Sequence, residues 1–253
     1  MKGLLKKIIP KDSAVFKFGQ KIYHYKSWHP KHWKFDIVKA YADSKKNVRL
    51  IQIGSNNGIS NDPLHKHIVN YKWTGVLVEP VPYLFEDLKS NYNSIKERFA
   101  FENSAIAKTS GALKFYRLKK NNLPDVPIWY DQLGSFSKEV VEKHKSRIPH
   151  FDELLIEDMV NAITFKELLD KHSITQIDLI HIDTEGYDFE ILKLIPFSSL
   201  NIELVMFEHI HLSDADYKLA IALLKQNGFT VKTIDEDVIA INTKVMATLG
   251  LKS

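Results

Sequence analysis

The chain has 253 residues, of which 44% are apolar and 26% charged, and its net charge is +4. This composition is typical of one soluble domain that is long enough for a sheet covered on both faces. The lack of cysteine excludes disulfides, thiolate nucleophiles and thiolate zinc ligands. Residues 1–10 hold no apolar run of the length that a secretory signal or a membrane span needs, so we expect a cytoplasmic protein without a membrane span.

Positive charge is concentrated in residues 1–46, which hold 12 Lys and 3 Asp, a balance of +9, and leave −5 for the rest of the chain. The same segment is aromatic, with Tyr23, Tyr25, Trp28, Trp33 and Phe35. It is either a surface for a polyanion or an anionic sugar carrier, or an arm that packs its rings on the core or on a second subunit. We favour the arm, so we expect no nucleic acid partner and place any homo-oligomer contact in this segment.

The most informative stretch is residues 48–58, where aliphatic and β-branched residues run into Gly54 and Gly58. This pattern predicts a buried strand that ends in a tight turn. A second apolar strand, residues 75–78, ends at Glu79. In a doubly wound α/β sheet, an acid at the end of the second strand is placed to bind ribose hydroxyls, and the glycine turn lies against the rest of the nucleoside.

The elements that follow alternate between helix and strand. Asp62 and Pro63 predict the start of a helix that ends near Asn70, and residues 82–91 have helical spacing. Residues 99–107 predict a third strand, followed by a hairpin with Gly111 at its turn. Residues 118–150 lose periodicity and contain several aromatic residues, so we interpret them as a lid over the substrate. The alternative is a surface excursion without a role.

Regular patterns return after the insert. A strand at residues 159–163 precedes a capping box formed by Thr164 and Glu167. A strand at residues 177–182, too apolar to face water on either side, delivers Asp183 and Glu185 to the ligand-binding edge. The next strand, residues 203–207, delivers Glu208 and His209, and Ser213 with Asp216 predicts the cap of the helix that follows. An antiparallel pair at 229–234 and 238–241 closes the sheet. The predicted organisation is a basic aromatic segment (1–46), one domain (47–243) with a lid insertion (118–150), and a C-terminal tail (244–253).

Four motifs carry a resemblance to a known family: Gln52-Ile53-Gly54-Ser55-Asn56-Asn57-Gly58, Leu77-Val78-Glu79-Pro80, Asn103-Ser104-Ala105-Ile106 and Ile182-Asp183-Thr184-Glu185-Gly186-Tyr187-Asp188. Their order and spacing over residues 48–242 resemble the FkbM-type methyltransferases. The resemblance implies a Rossmann-like class I methyltransferase fold that binds S-adenosylmethionine. The implied cofactor-binding residues are Ile53, Gly54, Ser55, Asn56, Gly58, Glu79, Ser104, Ala105 and Asp183.

Gln52 departs from the family pattern, because many members carry an acid there that helps to hold the methionine ammonium group. Asp183 and the backbone carbonyls near Gly54 are the replacements we name.

Methyl transfer to a hydroxyl requires a group that takes the hydroxyl proton, or a metal that stabilises the alkoxide. Asp183, Glu185, His209 and His211 are the candidate bases; either histidine can be the general base, and we place Asp183, Glu185 and His209 in the catalytic group. By resemblance to magnesium-dependent catechol-type O-methyltransferases, Asp183, Glu208 and His209 are also candidate ligands of a divalent cation. Because hard cations prefer oxygen, His209 would favour manganese or zinc over magnesium. Without a metal, Glu208 would hydrogen-bond the sheet edge or the substrate. His181, between two isoleucines, is predicted to be a core residue.

The sequence therefore predicts an S-adenosylmethionine-dependent O-methyltransferase acting on a hydroxyl of a sugar, glycan or related metabolite. One alternative is a domain that binds S-adenosylmethionine without turnover. Another is an NAD-dependent oxidoreductase, whose glycine turn would usually read Gly-x-Gly-x-x-Gly. Thermal stabilisation by S-adenosylhomocysteine but not by NAD would distinguish the methyltransferase from the oxidoreductase.

Overall fold

A computed structural model describes residues 37–121, 123–127 and 129–249 of the chain. The aromatic residues of the basic segment, Tyr23 to Phe35, lie outside the described residues, so the packing arm and the homo-oligomer stay predictions. Within the described ranges, no helix is both long and apolar enough to cross a membrane.

The helices are α1 (Ile37–Ser44), α2 (His65–Asn70), α3 (Pro82–Asn91), α4 (Lys138–Glu142), α5 (Phe151–Leu154), α6 (Phe165–Lys171), α7 (Asp188–Leu192), α8 (Asp214–Gln226) and α9 (Thr243–Thr248). Short 3-10 helices cover Asn93–Arg98, Tyr130–Gln132 and Lys145–Arg147. The strands are β1 (Arg49–Ile53), β2 (Thr74–Val78), β3 (Phe99–Glu102), β4 (Ala105–Ile106), β5 (Gly111–Leu118), β6 (Gly134–Ser135), β7 (Leu155–Ile163), β8 (Leu179–Ile182), β9 (Leu204–Glu208), β10 (Phe229–Ile234) and β11 (Asp237–Asn242).

Seven strands form the main sheet in the order β10-β11-β9-β8-β1-β2-β3. Strands β1, β2, β3, β8 and β9 are parallel, and β11 runs antiparallel between β9 and β10. The parallel strands follow the Rossmann order, in which the chain reverses direction across the sheet after β3 and continues at β8. The mostly parallel sheet with an antiparallel closing strand is confirmed.

Helices cover both faces of this sheet, as the apolar strands require. On one face, Ile51, Ile180 and Val205 pack against α6, α7 and α8. On the other face, Leu50 and Leu179 pack against α1, α2, α3 and α9. Successive residues of one strand alternate between the two cores because side chains in a strand alternate between faces. The carboxyl edge of the parallel strands is left between the two helical layers.

The predicted third strand is wrong at its end, because the chain leaves the main sheet after Glu102. The Asn103 side-chain amide donates to the Glu79 and Pro80 carbonyls (2.8 and 3.2 Å), which fixes the turn. Strand β4 then pairs in parallel with β7 in a second sheet of order β4-β7-β5-β6. The predicted hairpin at Gly111 is also wrong, since β5 pairs antiparallel with β7. A local turn signal could not reveal that long-range partner.

Two boundaries and one cap differ from the prediction. The domain begins before residue 47, since α1 buries Ile37, Val38 and Tyr41 in the core, and it extends past residue 243 to α9, where Met246 is buried. Helix α2 begins at His65, and no side chain caps it. The capping box at Thr164 and the Ser213 cap, which accepts from the Asp216 N–H, are confirmed.

Candidate functional site

A cleft of about 1300 Å³ lies at the carboxyl edge of the main sheet, and Gly54, Glu79 and Asp183 all line it. These residues follow β1, β2 and β8, which are neighbours in the sheet. Ligand pockets in proteins typically measure about 300–1,000 Å³, so this cleft has room for a cofactor and a second molecule. The sequence prediction that the three residues meet in one pocket is confirmed.

The turn after β1 brings the ends of three strands into backbone contact. The N–H groups of Gly54 and Ser55 both donate to the Val78 carbonyl (3.0 and 2.9 Å), and the Asp183 N–H donates to the Ile53 carbonyl (2.9 Å). Gly54 has φ +79°, and a Cβ there would lie 1.7 Å from the Asp183 carbonyl oxygen. Only glycine fits such a close approach at positive φ. The glycine therefore allows the ends of β1 and β8 to meet where the turn lines the cleft.

Glu79 follows β2 and is 4% exposed. Its two carboxylate oxygens accept hydrogen bonds from the N–H groups of Asn56 and Val81 (2.8 and 2.9 Å). Burial raises the pKa of Glu79 to about 7, although the two hydrogen bonds stabilise the carboxylate and oppose this rise. Each oxygen keeps a second lone pair, so the oriented carboxylate can accept from a pair of hydroxyls.

Most of the other predicted cofactor-binding residues also line the cleft: Ile53, Ser55, Asn56, Ser104 and Ala105. Gly58 is placed elsewhere. A Cβ at Gly58 would lie 2.5 Å from both Leu88 and Tyr92, so this glycine allows the turn to pack against α3.

Three carboxylates converge in the cleft beyond the ends of β8 and β9. One oxygen from each of Asp183, Glu185 and Glu208 lies within 4.8 Å of the others. Burial and the neighbouring negative charges raise the pKa of both Asp183 and Glu208. Among the described residues, one oxygen of Glu208 is buried without a hydrogen-bond donor, and the buried oxygen of Glu185 has the Nε2 atom of His211 as its neighbour at 2.9 Å. Such a group favours a proton or a cation.

Two histidines border this acid cluster. The Nε2 atom of His211 lies 2.9 Å from an oxygen of Glu185 and 3.6 Å from one of Glu208. The ring of His144, from the insert, lies 5.5 Å from the ring of His211. Burial lowers the pKa of His144. One nitrogen from each histidine, together with Glu185, forms a second group of metal-ligand type.

His209, predicted as a catalytic and metal-binding residue, does not line the cleft. Its Nε2 lies 3.2 Å from the Asp235 carbonyl, and its ring packs 5.0 Å from that of Tyr217. The residue that reaches the cluster is His211, two positions later, because the chain turns directly after β9. His181 is 3% exposed inside β8, and burial lowers its pKa to about 4, so the prediction of a core residue is confirmed.

The insert reaches the cleft, as expected for a lid. Trp129, Phe136 and His144 line the cleft, and the Ser135 hydroxyl donates to the Glu185 carbonyl (2.7 Å). Strand β6 pairs with β5, so the second sheet holds the insert in place.

Two acids, Asp188 and Asp62, were not identified as site residues from the sequence. Asp188 is fully buried, and it accepts from the Thr184 hydroxyl and the Gly186 N–H while its other oxygen has no donor in the described part of the chain. Burial raises its pKa to about 7. Asp62 lines the cleft as well, although its sequence context indicated only a helix cap. Both residues were missed because the burial of their carboxylate oxygens depends on residues distant in sequence, which local sequence patterns do not show.

Comparison with known proteins agrees with this arrangement. Residues 52–231 match the methyltransferase FkbM domain. A search of curated proteins finds no match.

Among solved structures, the chain is similar to the FkbM methyltransferase of Methylobacillus flagellatus KT, with 11% identity, a TM-score of 0.46, and coverage of 78% of this chain and 44% of that one. It is also similar to a precorrin-6y C5,15-methyltransferase of Geobacter metallireducens GS-15, with 11% identity, a TM-score of 0.40, and coverage of 84% and 89%. The chain thus spans less than half of the Methylobacillus protein.

The Rossmann-like strand order, the glycine turn and the acid after β2 define the class I methyltransferase fold. The match over most of the chain then settles the family: this protein belongs to the FkbM methyltransferases.

Proposed function

We propose that the protein uses S-adenosylmethionine to methylate a hydroxyl of a sugar, glycan or related metabolite. The observation that carries the proposal is the meeting of Gly54, Glu79 and the acid cluster in one cleft. A nucleoside site and a group of proton-accepting residues are then adjacent, which is the arrangement that oxygen methylation needs.

The residues of the cleft fit this cofactor. Glu79 would accept hydrogen bonds from both ribose hydroxyls, Ser104 and Ala105 would border the adenine, and the backbone at Gly54 would face the sulfur-bearing chain. When bound, S-adenosylmethionine supplies an electrophilic methyl group on a positively charged sulfur. The carboxylates of the cleft stabilise that charge.

The acceptor site that we propose lies between the acid cluster and the insert. Phe136 and Tyr187 pack edge to face at 4.9 Å, and both line the cleft with Trp129. Aromatic faces next to carboxylates suit a polyhydroxyl molecule, because the rings cover its C–H surface and the acids accept from its hydroxyls.

His211 is the group that we propose takes the proton of the acceptor hydroxyl. Its side chain is 7% exposed, and Glu185 at 2.9 Å orients the ring and stabilises the imidazolium that forms. Replacing His211 with alanine should lower methyl transfer about 100-fold or more. Replacing His209, two residues away and outside the cleft, is the matched control and should leave transfer within about threefold. The assignment fails if the two variants are affected equally.

A divalent cation is the second part of the proposal, with one oxygen each from Asp183, Glu185 and Glu208 as its ligands. A bound cation lowers the pKa of a coordinated hydroxyl. The three converging oxygens, together with a Glu208 oxygen that is buried without a donor among the described residues, support a cation that prefers oxygen.

Electron paramagnetic titration with Mn²⁺ would test the cation. One equivalent should bind to the wild-type protein, and Glu185→Gln should weaken binding at least about tenfold. Glu236→Gln removes an exposed acid of the same cleft and should have little effect. Equal weakening in both variants would mean that Mn²⁺ responds only to the overall charge of the cleft.

The function itself is tested with radiolabelled S-adenosylmethionine and a panel of sugars, oligosaccharides and nucleotide sugars. Label should pass to an acceptor hydroxyl, and S-adenosylhomocysteine should raise the melting temperature. Stabilisation without transfer to any acceptor supports a binding domain without catalysis. Stabilisation by NAD alone would overturn the methyltransferase.

A further inference from the structure

The acid that many family members carry two residues before the first glycine of the turn is replaced here by Gln52. Gln52 lies in β1 and is 2% exposed. Its Nε2 lies 3.2 Å from Nδ1 of His181, which is its register partner on β8. Its Oε1 is buried and has no hydrogen-bond donor among the residues the structure describes. The side chain therefore presents an unused acceptor at the end of β1.

Asp62, ten residues later, presents a second unused acceptor in the same cleft. Its Oδ1 accepts from the Leu64 N–H at 2.7 Å, whereas its Oδ2 is buried and, apart from the neighbouring Gln52 side chain, has no donor in the described ranges. Burial raises the pKa of Asp62 to about 6, and the Leu64 N–H and the nearby Gln52 side chain oppose that rise. A buried carboxylate with a free oxygen is costly unless a positively charged donor completes it.

The positions of Gln52 and Asp62 relative to Glu79 indicate which end of the cofactor these two residues would bind. Strand β1 lies between β2, which carries Glu79 at its end, and β8. The Gln52 side chain is directed to His181 on β8, away from β2. A cofactor whose ribose lies at Glu79 and whose sulfur passes Gly54 would therefore extend its amino-acid end toward Gln52 and Asp62.

We propose that Asp62, assisted by Gln52, binds the α-ammonium group of the methionine part of S-adenosylmethionine. The inference rests on the proposed function and assigns the acid that position 52 lacks. An ammonium group carries one positive charge and three N–H donors, which matches one carboxylate oxygen, one amide oxygen and a backbone carbonyl near Gly54. Asp183 is left free for the acid cluster.

Calorimetric binding of three ligands to Asp62→Asn tests this assignment. S-adenosylhomocysteine has the ammonium and carboxylate groups, decarboxylated S-adenosylmethionine keeps the amine but lacks the carboxylate, and 5′-methylthioadenosine lacks both. The variant should bind the first two about 10- to 100-fold more weakly, the usual loss for a hydrogen bond to a charged group, and should bind methylthioadenosine within about threefold of wild type.

Two further variants make the test specific. Glu79→Gln is the matched control, and it should weaken all three ligands because each contains the ribose. Gln52→Glu added to Asp62→Asn returns an acid to the end of β1, and it should recover most of the lost affinity for the two amine-containing ligands. Circular dichroism and melting curves would check that each variant is folded.

The outcomes separate the inference from the function on which it rests. Equal weakening of all three ligands by Asp62→Asn would show that Asp62 only holds the turn, and unchanged binding would place the ammonium elsewhere; either result overturns the assignment alone. If the wild-type protein binds none of the three ligands, the proposed function fails and the assignment fails with it.

Discussion

Strand β8 is flanked by two aspartates whose surroundings are opposite. Asp178, before the strand, is 2% exposed and accepts hydrogen bonds from the backbone and guanidinium of Arg49 and from Lys45, at 2.6–2.8 Å. Burial alone would raise its pKa, but these partners lower it. Asp183, after the strand, has other acids as neighbours instead, and its pKa is raised.

The difference shows how one sheet uses the same residue type for two purposes. At the edge of the main sheet where the parallel strands begin, which we call the amino edge, Lys45 also lies 2.9 Å from Glu203. The Glu203 carboxylate accepts from the Tyr41 hydroxyl at 2.7 Å. The acids there are satisfied by the chain itself and stabilise the fold. At the carboxyl edge, a buried oxygen of Glu208 has no donor within the described residues, so it is available to a ligand, and the buried oxygen of Glu185 lies 2.9 Å from the His211 ring nitrogen. Stability is concentrated at one edge and binding capacity at the other.

The largest effect is expected from a substitution at the carboxyl edge of the main sheet. Asp183→Asn should lower methyl transfer at least about 100-fold, because it removes one carboxylate from the acid cluster that we propose borders the reacting atoms. The free energy of unfolding at neutral pH should be unchanged or higher, since a buried negative charge among other acids is lost. Radiolabel transfer and urea unfolding measure the two quantities. An Asp183→Asn variant that is less stable but fully active would mean that Asp183 stabilises the fold and is not needed for methyl transfer.

The next effect concerns the amino edge. Asp178→Asn should lower the free energy of unfolding by roughly 2–4 kcal/mol, because the backbone and side-chain donors of Arg49 lose a charged acceptor. In the wild-type protein this contribution is present above the unfolded pKa near 3.8 and is lost as the pH falls through the lower folded value. Urea unfolding from pH 7 down to pH 3 should therefore show a difference that shrinks with acidity, whereas a constant difference would mean that Asp178 acts by packing alone.

The smallest effect concerns Glu79, a second acid at the carboxyl edge, and it extends the comparison between the two edges. The pKa of Glu79 is raised from 4.5 to about 7. Its protonation therefore stabilises the ligand-free fold below pH 4.5, and that stabilisation is lost as the pH rises through 7.

Glu79→Gln removes this dependence. Between pH 5 and pH 8, the unfolding free energy of the variant should improve relative to wild type by roughly 1–3 kcal/mol. Chemical denaturation at the two pH values is the measurement, and a relative change of the opposite sign would contradict the raised pKa.

The sequence predicted the elements whose signals are local. Apolar runs before Gly54, Glu79 and Asp183 placed three neighbouring strands correctly, because a buried parallel strand must be apolar on both sides. The caps at Thr164 and Ser213 were read from side chains that bond within three residues. Features that depend on distant partners were not predicted correctly, such as the pairing of β5 with β7.

The same distinction between local and long-range signals explains which site residues were predicted from the sequence. Residues at strand ends were predicted because the sheet edge fixes their position, as with Glu208. His211 took the place predicted for His209, because the direction of a side chain in the loop after β9 depends on that loop's path. Asp62 is a surface-type residue in sequence, and only the packing around it reveals that one of its oxygens is buried without a donor among the described residues.

The second sheet separates the insert from the strand ends that line the cleft. Strands β5 and β7 pair over eight residues and carry the insert as an excursion from their shared end, while the turn at Gly54 and the acid at Glu79 follow strands of the main sheet. Length changes or exchanges in residues 119–150 should therefore leave the main sheet intact, and under the proposed acceptor site they would change which molecules are methylated.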